Sequence, residues 1–443
     1  MVDNLRLIAG GKYCRRLINQ MKICTITNAF TTEKTSPPRK IGGAEVCAER
    51  ISRYLAKEGH SVIVITQRPY AGLSSLLPRL EIRDGLKIYS FYPLNIFSIY
   101  NTHKKSLFLK AIWRIIDLIN PLPALFVLYI IKSEKPDIIH NHILHGFSSL
   151  FLLRLLKLTG IPLVQSLHSY GFLCLRCDFL RHSGALCVRP PIACQWFRAL
   201  SRLFIDGVPD KVISPSHFCL NLYKKQGFFR NSDTVVLPNG VETYAENPHL
   251  KKEPDNKRFT ILYAGRLVRI KGVHTLIDAF KQLPLSSAEL IIAGEGYFEE
   301  KLKLTAGGNR RIRFLGKASW VELQEYYRTS DVTVIPSIYY EIFGNVVLES
   351  MSHGTPVIGS RIGGITELIR DGFNGFLFEP EDKQGLGRIL ENLILDPLRL
   401  KLMGENAFNF AKEYDIRNHV LKMESIYRQL KDAFPGNQIP ASL

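Results

Sequence analysis

A chain of 443 residues is long enough for two or three domains, and 46% hydrophobic with 22% charged residues excludes wholesale disorder and fibrous repeats. Its 58 Lys and Arg against 40 Asp and Glu give +18, and the excess is lopsided: residues 1–250 hold 32 basic and 16 acidic side chains, residues 251–443 hold 26 and 24. Nucleic acid, an anionic membrane or an acidic substrate would each suit the basic half, whereas eight cysteines are too few for a disulfide scaffold.

Residues 1–20 show no period and no apolar signal region, so they read as an extension outside the fold, with Met21 an alternative start and the cytoplasm the expected compartment. The run from Met21 (MKICTIT) is a buried strand. A loop with Pro37 and Pro38 follows, then a glycine turn at Gly42-Gly43 opening a helix that ends near Gly59, then a strand at Ser61–Thr66. This is the βαβ unit of a doubly wound sheet. Lys104–Ile119 is a helical pattern with Lys110, Arg114 and Asp117 on one face, readable as a buried helix or as a basic membrane-docking one. The longest apolar run, Ala124–Ile131, is far short of the roughly 20 residues a membrane span needs. Further strands are expected at Asp137–His140, Pro162–Leu167 and Lys211–Ser214.

The strand and helix alternation restarts at Phe259 (FTILYAG) and continues through ELIIAGEG, IRFLG, DVTVIPS and PVIGS. The expected fold class is therefore α/β, with two tandem Rossmann-like domains. We place the first at 21–245 and the second at 246–415, joined near Asn239-Gly240, with a C-terminal helix in 416–443 returning to the first.

Open α/β sheets bind ligands beyond the carboxyl ends of their strands, at helix N-termini whose free amides suit phosphate. Gly42-Gly43 and Gly294-Glu295-Gly296 have that position, although each alone is equally a tight turn. The loop Glu341-Ile342-Phe343-Gly344-Asn345-Val346 is sharper. The amides of 344–346 lie at a helix start, Glu341 precedes them, and Glu349 lies five residues past Gly344, about 7.5 Å along the axis. Two carboxylates bracketing an anion site suit a nucleotide-sugar, with its sugar and ribose on either side of a diphosphate. Gly265-Arg266 and Lys271 add a planar and a compact cation for that diphosphate. Ordinary surface charges are the plain alternative for all four.

Taken with Ser214-Pro215-Ser216, Asn239-Gly240-Val241, Ser330-Asp331-Val332, Gly354–Ile358, Gly363-Gly364, Glu367-Leu368-Ile369 and Asn374-Gly375, the pattern resembles the retaining glycosyltransferases of family 4 (group 1), which have the GT-B fold. That resemblance implies a central cleft between an acceptor-binding first domain and a donor-binding second one. It also implies Glu341 on donor-sugar hydroxyls, Glu349 on the ribose, Arg266 and Lys271 on the diphosphate, and Gly42-Gly43 on phosphate from the first domain. Asn239, Gly265, Gly294, Phe343, Gly344, Asn345 and Val346 complete the donor set. His168 matches a family histidine near the reacting sugar, followed here by Ser169 where Asp is common.

The implied donor is a UDP- or GDP-sugar, used without a catalytic metal, and the acceptor a glycan or lipid-linked glycan. Polysaccharide or glycolipid biosynthesis follows as the setting, in the cytoplasm or at the inner face of the plasma membrane. A GT-B epimerase and a nucleotide-binding pseudo-enzyme are the alternatives. Nucleic acid is not expected, since no RNA- or DNA-binding signature is present. Cys174, Cys177, Cys187 and Cys194 form a C-x2-C pair with two further thiols, which suggests a structural zinc site or simply buried free thiols.

Overall fold

The computed structural model describes residues 20–30, 42–97, 120–143, 150–176, 179–181, 189–244, 258–283 and 288–434, with Leu186, Cys187 and isolated positions between 106 and 117. The expectations for residues 1–19 and for most of Lys104–Ile119 lie outside them.

The first half is built on strands β1 (Lys22–Ile26), β2 (Ser61–Gln67), β3 (Arg79–Arg83), β4 (Leu86–Phe91), β5 (Ile138–Asn141), β6 (Leu163–Ser166), β7 (Lys211–Ser214) and β8 (Asp233–Val236). They form one sheet in the order β3-β4-β2-β1-β5-β6-β7-β8, parallel except for β3. Every residue of β5 and β6 is buried, as in parallel strands covered on both faces; each opens on two apolar residues and ends on two polar ones, and the Asn141 amide is satisfied by donating to the Gln165 side chain. The β3–β4 hairpin was not expected from the sequence. It turns through Asp84 and Gly85, both at positive φ (51° and 76°), the conformation that an Asp-Gly pair favours between two strands.

The helices of this half among the described residues include α1 (Gly43–Lys57), α2 (Leu122–Glu134), α3 (Leu150–Leu158), α4 (Ile192–Ile205) and α5 (His217–Lys225).

The second half carries β9 (Phe259–Ala264), β10 (Ala288–Ala293), β11 (Ile312–Gly316), β12 (Val332–Ile335), β13 (Val357–Ser360) and β14 (Gly375–Phe378), all parallel, in the order β11-β10-β9-β12-β13-β14. Its helices are α6 (Val273–Gln282), α7 (Glu299–Ala306), α8 (Trp320–Thr329), α9 (Asn345–Met351), α10 (Ile365–Leu368), α11 (Lys383–Leu395) and α12 (Pro397–Lys412). The last helix, α13 (Ile416–Ala433), packs against α1 and buries Ile416, Val420, Met423 and Tyr427 beside Ile23, Val62 and Val64 of the first sheet.

Candidate active site

In each sheet the strand order reverses about its first strand: β1 lies between β2 and β5, and β9 between β10 and β12. Such a reversal opens a crevice beyond the carboxyl ends of the strands, and the predicted site residues sit at these ends. Gly265 and Arg266 follow β9, Gly294 follows β10, and the loop to α9 follows β12. Gly294 holds φ +147°, and a Cβ there would lie 1.8 Å from the Gly265 carbonyl oxygen, so only glycine lets these two turns cross. Gly344 caps α9 with φ +95° and has Asn345 and Val346 in the first turn behind it. Phe343 is buried beneath them in the apolar core.

Lys271 and Glu341, 70 residues apart, form an ion pair of 2.5 Å between Nζ and Oε1. The same carboxylate accepts from the Ser337 hydroxyl at 2.6 Å and the Tyr339 hydroxyl at 2.7 Å. Burial alone pushes the Glu341 carboxyl up. Lys271, Ser337 and Tyr339 outweigh it and hold the group below its ordinary value, so Glu341 is an anion in a nearly dry site. Glu349, also buried, differs: burial pushes it up, opposed by Arg50 at 3.9 Å and by the Tyr327 hydroxyl at 3.3 Å.

The two halves meet at this place. The Asn345 side chain reaches the Gly43 carbonyl at 3.5 Å and accepts from Asn239 at 2.8 Å, and the Cys47 thiol donates to Asn239. Gly42 is the N-cap of α1. Burial pushes up the nearby Glu45 carboxyl, countered by the backbone amides of Glu45 and Gly42 and by the charge of Arg266 from the other half. Arg50 donates to the Gly240 carbonyl while facing Glu349. Beyond the crevice, the Glu367 carboxylate accepts from the His217 and Phe218 amides at the start of α5. Gly42, Gly43, Asn239, Asn345, Glu349 and Arg266 are thus drawn together from both halves, as are Lys271 and Glu341 within the second.

His168 sits past β6 in a group of histidines. Its Nε2 lies 3.0 Å from His142 Nδ1, with the rings stacked. His142 in turn packs on His140, whose ring nitrogens meet the Tyr427 and Ser166 hydroxyls. His168, Ser166, Cys47, Asn239 and His419 line one small cavity. Burial pushes the His168 pKa down to about 4, with His419 adding to the shift, so the ring is neutral near pH 7.

Residues 41–244 match the profile of Glycosyltransferase Family 4 and residues 246–410 that of Glycosyl transferases group 1. An uncharacterised glycosyltransferase of Methanocaldococcus jannaschii is 30% identical over 309 residues, covering 68% of this chain and 78% of the relative. The chain is a group 1 glycosyltransferase. Another relative, glycogen synthase of Mycobacterium tuberculosis, is 28% identical over 377 residues, 82% of this glycosyltransferase and 84% of the relative. Among solved structures, sucrose-phosphate synthase of Thermosynechococcus elongatus superposes with a TM-score of 0.73 at 20% identity, covering 94% of this chain and 100% of that one. Anabaena HepE in complex with UDP-glucose gives 0.66 at 22% identity, with 94% and 100% covered. Those likenesses establish the GT-B fold.

Sequence reasoning missed His142, Tyr339, Ser337 and Arg50. The first three had a local signal, an H-N-H after a buried strand and an S-I-Y-Y run leading into Glu341, whereas Arg50 had none. The zinc expectation is not supported. Cys174, Cys187 and Cys194 of this glycosyltransferase are free thiols close enough that the first two raise the pKa of the third, after burial, but Cys177 lies outside the described residues. Among the described residues no group of three or more His, Cys, Asp or Glu is arranged to hold a metal ion. Nor is any described helix long and apolar enough to cross a membrane.

Proposed function

We propose that this glycosyltransferase moves a sugar, with retention of configuration, from a UDP- or GDP-sugar to a glycan or lipid-linked acceptor in cytoplasmic polysaccharide or glycolipid assembly. The observation that carries the reading is the Lys271–Glu341 pair, in the loops past β9 and β12, together with Asn345 at the start of α9, which reaches the Gly43 carbonyl of the first half. In this reading the second half holds the donor and the first the acceptor. Arg266, Lys271 and the Gly344–Val346 amides receive the diphosphate, with Gly42-Gly43 on its other side. The Glu341 carboxylate, with one lone pair still open after three donors, takes a sugar hydroxyl, and Glu349 takes the ribose.

Negative charge grows on the diphosphate as the glycosidic bond breaks, and fixed cations and amides aimed there lower the barrier without reorganising. The acceptor hydroxyl attacks from the face the diphosphate leaves, and its proton passes to a phosphate oxygen. A neutral His168, steadied by His142, donates a hydrogen bond to the reacting sugar without adding a charge. UDP and UDP-glucose bound to the HepE structures support the donor class.

The test is a panel of UDP-, GDP- and ADP-sugars scored by thermal shift and slow donor hydrolysis, with product anomers read by NMR. Stabilisation by one UDP- or GDP-sugar and a product anomer matching the donor are expected. No response to any donor, or an inverted product, overturns the reading.

A further inference from the structure

We propose that α4 docks this enzyme on an anionic lipid surface. Only Phe197, Ser201 and Ile205 of this helix are buried. Ile192, Trp196, Ala199 and Leu203, spaced four, three and four apart, form a line along its outer side. There Ile192 is 72%, Trp196 73% and Leu203 68% exposed, with Leu200 beside them at 43%. A surface helix ordinarily turns charged residues to water. This one turns an apolar stripe, and contiguous exposed apolar surface marks an interaction site.

Charge selects the occupant. The helix contains no acidic residue, and Arg202 is exposed next to Leu203. From Ile138 to Ile205 the chain carries seven Arg and Lys against one acid, Asp178. A second copy of the chain would bring the same positive field to the contact and be repelled, whereas anionic headgroups are attracted while the apolar stripe enters the acyl boundary.

Position gives the docking a use. Arg198 of α4 donates through Nε to the Leu173 carbonyl, five residues past His168, and Arg154 of α3 donates to the Leu203 and Phe204 carbonyls. The helix is thereby fixed to the segment leading out of the histidine group. An acceptor anchored in the docked membrane would arrive on the first half's side of the crevice, so the proposal rests on the lipid-linked branch of the function proposed above.

The test uses the full chain and vesicles of phosphatidylcholine with or without phosphatidylglycerol, free of donor and acceptor. Trp196 is the most exposed of the three tryptophans, ahead of Trp320 at 37% and Trp113 at 7%, so its emission reports insertion. We expect sedimentation with phosphatidylglycerol vesicles, a blue shift, and binding that falls steeply with salt. Trp196→Ser with Leu203→Ser should cut binding at least tenfold, and Arg202→Glu should weaken it less, both leaving donor hydrolysis unchanged. Absence of binding to phosphatidylglycerol vesicles, equal binding by the double variant, or a lipid-free dimer dissociated by those substitutions would each overturn the proposal. Donor hydrolysis by the unaltered chain is read separately, so a membrane failure is not mistaken for a failure of sugar transfer.

Discussion

The two halves share a parallel-sheet architecture but fill their crevice ends with opposite kinds of polar group. The second half keeps Glu341 charged by surrounding it with Lys271, Ser337 and Tyr339. The first half buries His140, His142, His168 and His419, and burial keeps all four neutral. One fold can hold either, because what a buried titratable group does depends on whether donors surround it. In the proposed reaction the charged side faces the bond that ionises, and the neutral side faces the acceptor.

Removing the charge is the most severe way to break this contrast. Glu341→Ala or Lys271→Ala should lower turnover by about 10²–10³ with the circular dichroism of the fold retained, since either leaves its partner unmatched at the reacting centre. Near-normal transfer by either purified variant would refute the site. Gly294→Ala attacks the scaffold instead. Forcing a Cβ to within 1.8 Å of the Gly265 carbonyl should cost about 3 kcal/mol in urea unfolding, and an unchanged midpoint would contradict the crossing of these turns.

Acid should act selectively on the first half. His168 and His419, each pushed from 6.5 down to about 4, are neutral when folded, while the unfolded chain takes up protons near 6.5. Stability from these groups is therefore present above pH 6.5 and lost as pH falls towards 4, by on the order of 1–2 kcal/mol each at pH 5. Unfolding midpoints that do not move between pH 7 and 5 would argue against neutral burial.

His142→Ala should lower turnover about tenfold by freeing the His168 ring. It should also shift the acid limb of the kcat profile upward, as water reaches that ring and its pKa returns towards 6.5. A tenfold loss with an unmoved acid limb would mean a packing role only. The smallest effect on turnover is expected from Arg50→Ala: loss of the 3.9 Å cation beside buried Glu349 and of the hydrogen bond to the Gly240 carbonyl should cost about 1–3 kcal/mol in stability, read with a several-fold rise in donor KM and an almost unchanged kcat.

The central strands were legible because burial on both faces leaves continuous apolar runs, as at Ser61–Gln67 and Phe259–Ala264. The glycine turns and the spacing of Glu341, Gly344 and Glu349 were legible because each lies within one loop and one helix. β8 and β14 lie at the sheet edges and stand out less than the equally short inner strands: β8 (DTVV) has no fully buried residue, and β14 (GFLF) opens on a glycine. The β3–β4 hairpin carries a local signal of its own, the Asp84-Gly85 pair between its two strands.

By itself, then, the sequence determined the α/β class, the tandem arrangement and the loops proposed to carry the chemistry, since periodicity and turn residues act over a few positions. Only the tertiary structure decided that Lys271 touches Glu341, that Arg50 faces Glu349 across 299 positions, that His142 stacks on His168, and that α4 turns its apolar stripe outward. Those contacts depend on how the sheets and α13 pack together, and no local pattern encodes which distant side chain will arrive.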